Sequence, residues 1–188
     1  MQNFDSAAAG ERATRYDRFT ITLHWLTAGL VLALFGTAQI WDFAARGTPM
    51  RLGLISLHVS LGILLAAVLL LRIVWRLLTH RRVAPAVSGL QHVASTLVHL
   101  ILYVLMVAQV SYGLLIRWAS ANAPDFFGLF SIPALVVVDP ATRRVIGELH
   151  SVTAWLIIAV AGLHAAAALV HHYVLRDQVL ARMVPTRG

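Results

Sequence analysis

The sequence contains no cysteine. That excludes disulfides, thiolate metal sites, iron–sulfur ligation and covalent attachment of a c-type haem. It contains no lysine either: all fifteen basic residues are arginine. Charge is scarce. Only 12% of the 188 residues are charged and 59% are hydrophobic, far from a soluble globular domain. No repeat of fixed period and no low-complexity linker interrupts the chain. The first eighteen residues are polar and mixed in charge, without the short apolar core and small-residue cleavage site of a secretory signal. A formal charge of +7 would suggest nucleic acid in a soluble protein. Here the arginines cluster at the ends of apolar runs, so they report membrane topology instead, and no nucleic-acid partner is expected.

What the chain does have is long runs of Leu, Val, Ile and Ala. Hydropathy marks four spans: Phe19 to Trp41, Leu52 to Leu78 with its amphipathic tail, Gln91 to Trp118, and Val145 to Tyr173. Each reaches the ~20 residues that a bilayer requires. The expected fold class is all-α, an integral membrane four-helix bundle forming one membrane domain over residues 1–188. The first connection carries Gly47, Pro49 and Gly53; the second carries Arg81, Arg82, Pro85, Ser88 and Gly89. Both are short enough to make their helices antiparallel neighbours. The third, from Ala119 to Arg144, is longer and holds three prolines and the apolar stretch Phe126-Phe127-Gly128-Leu129-Phe130.

Arginine placement predicts orientation. Arg12, Arg15, Arg18, Arg72, Arg76, Arg81, Arg82, Arg176, Arg182 and Arg187 share one side, against Arg46, Arg51, Arg117, Arg143 and Arg144 on the other. Positive residues favour the cytoplasmic side. Both termini are therefore expected in the cytoplasm and the long connection outside.

Four histidines sit inside the spans: His24, His58, His150 and His164. An ionisable group at membrane depth is costly and points to a functional site. His150 and His164 are fourteen residues apart on one span, which returns them to within roughly 40° of the same helix face, about 21 Å apart along the axis. Depth sorts the four into two pairs, His24 with His164 near the cytoplasmic side and His58 with His150 near the outer side. Two opposed imidazoles at one level, between apolar walls, suit the axial ligands of a haem iron. A lone intramembrane histidine can instead hydrogen-bond a neighbouring carbonyl, but depth pairing is harder to explain that way. A zinc site would want its ligands gathered at one level. Gly62, one turn beyond His58, and Gly162, beside His164, would let a flat ring approach, although small residues also serve helix packing.

Other polar residues extend the pattern. Arg72 lies fourteen residues after His58 and either pairs with a haem propionate or snorkels to the interface. His99 projects at inner depth with Tyr103 one turn on, as a contact beside the inner haem rather than a fifth ligand. His171 shares the face of His164 nearer the cytoplasm; it either reaches a molecule bound beside the inner haem or is an interfacial histidine. His80 and His92 read as interfacial. Trp25, Trp41, Trp75 and Trp118 read first as an aromatic belt.

Taken in order, His24-Trp25, His58 with Gly62 and Arg72, His99 with Leu102-Tyr103, Leu149-His150, Gly162-Leu163-His164 and His171-His172-Tyr173 followed by Asp177 and Arg182-Met183 resemble the bacterial di-haem cytochrome b561 family. The resemblance covers Tyr16 to Pro185. It implies two b haems held by the four histidines, a bacterial inner-membrane location, and quinone as the membrane redox partner, with ubiquinone as substrate or bound cofactor. One member type, superoxide oxidase, passes an electron from periplasmic superoxide to ubiquinone. The present chain departs from that type in its longer outer connection, with Phe127-Gly128-Leu129-Phe130 and Pro133.

The leading expectation is an oxidoreductase of the superoxide:quinone type. Its two haems would carry electrons between a small periplasmic donor and quinone, with His171 as first candidate for the quinone contact. His99 is the second candidate, expected to be less exposed to lipid. The alternatives are a haem-bearing anchor for a soluble periplasmic partner protein, and a haem-free transporter or scaffold.

Overall fold

A computed structural model describes residues 15–79, 85–119 and 123–184. Arg12, His80, Arg81, Arg82 and Arg187 lie outside them. Among the described residues, four helices are long and apolar enough to cross a membrane. Helix α1 spans Arg18–Trp41 and starts where the Asp17 side chain accepts from the Thr20 N–H. Helix α2 spans Pro49–Leu78, with Thr48 capping the Arg51 N–H and Pro49 in the first turn. Helix α3 spans Gly89–Trp118 and α4 spans Pro140–Val170. Helix α4 begins five residues before the hydropathic edge at Val145. Asp139 accepts from the N–H groups of Ala141 and Thr142, and Pro140 suits a first helical position. The polar run Thr142-Arg143-Arg144 hides that turn from a hydropathy reading.

The helices form two antiparallel hairpins, α1 on α2 and α3 on α4, which meet mainly along α2 and α3. Leu23, Leu30, Leu34, Leu65 and Val68 pack the first hairpin. Leu69, Met106 and Ile157 join α2, α3 and α4. Few side chains are fully buried, and large apolar residues such as Leu32, Leu70 and Leu163 cover the outside. That is the pattern of helices solvated by lipid, whose association draws on close packing rather than escape from water.

Helix α4 ends in a π-helical turn, His171–Leu175, closed by Arg176 in a left-handed conformation and by the Asp177 N–H donating to the His171 carbonyl. A 3₁₀ turn follows at Ala181–Met183. There Trp25 of α1 donates its indole N–H to the Met183 carbonyl at 2.7 Å, tying the tail across the bundle end. Trp25 thus has a structural bond beyond an aromatic-belt role.

The long connection contains a small hairpin, β1 (Asp125–Phe126) paired with β2 (Phe130–Ser131). Its turn places Phe127 at φ 50 and Gly128 at φ 74. Glycine adopts that conformation freely, whereas for phenylalanine it is strained by about 1–3 kcal/mol. The restraint comes from Ser60 of α2, which is fully buried. Its hydroxyl donates to the Asp125 carbonyl at 3.1 Å and accepts from the Phe127 N–H at 2.9 Å. Asp125 in turn accepts from the Gly128 N–H. Ser60 lies nine residues along α2 from Arg51, about 13 Å deeper by helix rise. Non-helical backbone at such depth needs partners within the protein, and the hairpin has them. Ser60→Val is expected to strip both bonds and to cost about 1–3 kcal/mol for each buried group left unpaired. The readout is a lower melting temperature with faster proteolysis near Phe127. Unaltered melting and cleavage would mean that the hairpin is held by other contacts.

Candidate functional site

The four span histidines come together as two facing pairs. At the bundle end that carries the hairpin, His58 of α2 and His150 of α4 have ring centres 6.4 Å apart. At the end that carries the termini, His24 of α1 and His164 of α4 are 6.3 Å apart. A metal–imidazole bond of about 2.0 Å, with about 1.1 Å from that nitrogen to the ring centre, puts two axial imidazoles about 6.2 Å apart centre to centre. Both pairs match that centre-to-centre spacing. The fourteen-residue interval on α4 separates the two levels by about 21 Å.

Hydrogen bonding at the hairpin end sets the tautomers. The Thr37 hydroxyl donates its proton to the Leu34 carbonyl at 2.9 Å, so toward His58 its oxygen can only accept. The His58 Nδ1 faces that hydroxyl at 3.1 Å and the Leu34 carbonyl at 3.0 Å. Two acceptors require a proton on Nδ1, which leaves the lone pair on Nε2. His150 follows the same logic. Its Nδ1 donates to the Gln109 carbonyl at 3.2 Å, and its Nε2 faces the Gln109 side-chain amide at 3.2 Å. Both rings therefore offer Nε2 as the ligating atom, with Nδ1 steadied by backbone, the usual arrangement for a metal-binding histidine. The Trp41 ring packs 5.0 Å from His58. Gly113 lets α3 approach His150: a Cβ there would lie 3.4 Å from the ring.

The terminal end holds a third imidazole. His99 of α3 lies 5.2 Å from His164, ring centre to ring centre. Arg72 sets its guanidinium 5.4 Å from the centre of the Tyr103 ring, a cation–π contact across α2 and α3. Tyr103, Val104, Val107 and Ala108 line an open apolar cavity of about 370 Å³ on α3. His171 stands two turns past His164 and donates from Nδ1 to the Asp177 carboxylate. Asp177 also accepts from the Val179 N–H. The His171 bond, then the Val179 bond, holds the Asp177 carboxyl below the usual carboxylate range.

One expectation changes. His99 is the more exposed of the two quinone candidates, and His171 is the half-buried one. The π turn and the Asp177 bond fold the tail over His171, and hydropathy does not register either. Nor does a side chain at Gly62 or Gly162 meet any neighbour within 4 Å, so neither glycine is needed for helix contact. Thr37, Gln109 and Gly113 escaped the sequence reading. Gln109, a polar residue in mid-span, carried a signal; the other two did not.

Four helices able to span a membrane, with imidazoles paired at two levels, define a class of integral membrane protein able to hold a metal cofactor in the bundle. The family model for prokaryotic cytochrome b561 matches residues 15–186. Cytochrome b561 homolog 2 of Escherichia coli is 31% identical over 177 residues, covering 90% of this chain and 91% of the relative. The probable superoxide oxidase CybB of Yersinia pestis is 30% identical over 178 residues, covering 92% and 97%. Cytochrome b561 homolog 1 of Escherichia coli is 26% identical over 177 residues, covering 92% and 98%. The chain belongs to the prokaryotic cytochrome b561 family. It is a multi-pass protein of the bacterial inner membrane, a haem b-binding cytochrome of electron transfer.

Proposed function

We propose that this protein binds two b haems and moves electrons between a periplasmic donor and membrane quinone. The observation that carries the reading is the pair of imidazole separations, 6.4 Å and 6.3 Å, at two levels of one helix. His58 and His150 are the outer ligands, and His24 and His164 the inner ones. Each haem supplies a one-electron iron couple. The chain's own part is to fix the spacing of the centres, exclude water and admit substrate at each end. Arg72 is the candidate for an inner propionate. Its guanidinium is held 5.4 Å from the centre of the Tyr103 ring on α3.

The proposed orientation has both termini cytoplasmic, from ten arginines against five. A reporter active only in the periplasm should work when inserted at Ala123 and fail when fused after Gly188. The reverse pattern would exchange the inner and outer assignments.

Superoxide is the proposed donor. A relative is named as a probable superoxide oxidase, and Arg46, Arg51, Arg117, Arg143 and Arg144 at the hairpin end would attract a small anion. The reading puts quinone beside the inner haem, with His171 or His99 as its contact. The test is stopped-flow mixing of purified protein, ubiquinone and superoxide. Quinone reduction by the protein alone supports the reading. A strict requirement for a second protein would favour a haem-bearing anchor instead. The observation behind that alternative is the exposed run Leu135, Val136 and Val137 in the outer connection, with Val137 98% exposed.

A further inference from the structure

The two histidine pairs are not built alike. At the hairpin end both rings give their Nδ1 protons to acceptors on neighbouring helices: His58 to the Leu34 carbonyl and the Thr37 hydroxyl, and His150 to the Gln109 carbonyl. At the terminal end, among the described residues, neither His24 nor His164 has a hydrogen bond at a ring nitrogen. The consequence is electronic. An acceptor drawing on Nδ1–H makes the opposite nitrogen a stronger donor. A stronger donor stabilises ferric iron more than ferrous iron, and so lowers the potential.

Charge acts in the same direction. Arg72, stacked on Tyr103, belongs to the terminal end. Arg76 follows one turn later, in the last turn of α2. Positive charge near a centre favours the form that has gained an electron. At the hairpin end Arg51 turns its guanidinium to the Trp41 and Ala44 carbonyls and to Asp42, and Arg117 lies in the last turn of α3.

Building on the two-haem reading, we infer that these contacts make the hairpin-end haem the lower-potential centre and the terminal-end haem the higher, so that the electron runs downhill along α4 from one to the other. Thr37 is a positioning residue for this asymmetry, because its hydroxyl is the one acceptor on either outer ligand that a side-chain change removes. One electron leaves the hairpin-end iron, which becomes ferric. The same electron reaches the terminal-end iron, which becomes ferrous. No proton need move between them. With the termini in the cytoplasm, the gradient points from the periplasmic donor toward quinone.

The test is an equilibrium redox titration of the purified holoprotein, followed in the haem bands, with haem first counted by extraction. Two haems with two resolved steps are expected, favouring the inner site at least about tenfold, which is about 59 mV for one electron. In His150→Ala the surviving haem should titrate at the upper step. In Thr37→Val, a near-isosteric change in case the first variant folds poorly, the lower step alone should move upward, with the upper step unchanged. Coincident steps in the wild type, a surviving haem at the lower step, or a Thr37→Val protein whose lower step stays in place would each overturn the inference. Fewer than two haems in the wild-type protein would instead remove the two-haem reading on which it rests.

Discussion

Purified His150→Ala protein is expected to carry one haem, against the two proposed for the wild-type chain. Of all the variants described, this one should change composition most, because it removes a proposed axial ligand outright. His58 would face an empty position, and its Nδ1 bonds to Leu34 and Thr37 orient a ring that no longer has a counterpart. The inner pair sits about 21 Å away by helix rise, with its own ligands intact. Outer haem should therefore be lost preferentially. The measurement is haem per chain after acid–organic extraction. Extraction should also remove all haem from the wild type, since a chain without cysteine cannot hold it through thioether bonds. A well-folded wild-type chain with no haem, or with one, would sink the assignment.

His171→Ala should keep both haem spectra and lose most quinone reduction, by roughly 10²-fold or more if His171 moves a proton to the quinone. The geometry gives the reason. His171 commits Nδ1 to Asp177, so Nε2 can donate to a quinone carbonyl entering from the lipid side only when the ring carries a second proton, the one it would then deliver. A His–carboxylate couple near the membrane surface suits proton delivery. Asp177→Asn provides a milder test, with a smaller loss in the same direction. The Asp177 carboxyl lies below the ordinary range in the folded protein. The stabilisation it represents is complete above its unfolded value and is lost as pH falls through the lowered one. The pair therefore persists through mildly acidic conditions. Unchanged quinone kinetics in His171→Ala, with both haems present, would move attention to His99, which is more exposed and 5.2 Å from His164.

The parts of this architecture that were legible in sequence obey one-dimensional rules. Helix pitch places His150 and His164 on one face. The bilayer gives all spans a common ruler, so His24 could be matched to His164 by depth, and His58 to His150. Contacts that depend on the rotation of one helix against another were not legible. Thr37 and Leu34 meet His58 from α1, and Gln109 and Gly113 meet His150 from α3. No local pattern fixes those azimuths. Ser60 is the extreme case, since its partners lie more than sixty residues away in a connection whose fold hydropathy cannot foresee. The early start of α4 was readable in principle, because Asp139-Pro140 is a helix-start signal; an apolar window passes over it.

Helix α4 differs from its neighbours in supplying one histidine to each pair, where α1 and α2 supply one histidine to one pair. The interval between His150 and His164 therefore behaves as a reading frame. Inserting or deleting one residue within it turns one imidazole by about 100° against the other, so one centre must be lost whichever one the helix keeps in place. Changes of about a whole number of turns, such as three or four residues, come close to restoring phase, and each turn moves the centres apart or together by about 5 Å. The separation of the two proposed metal sites is thus quantised by the helix, and descendants of this chain can alter it in whole turns or not at all.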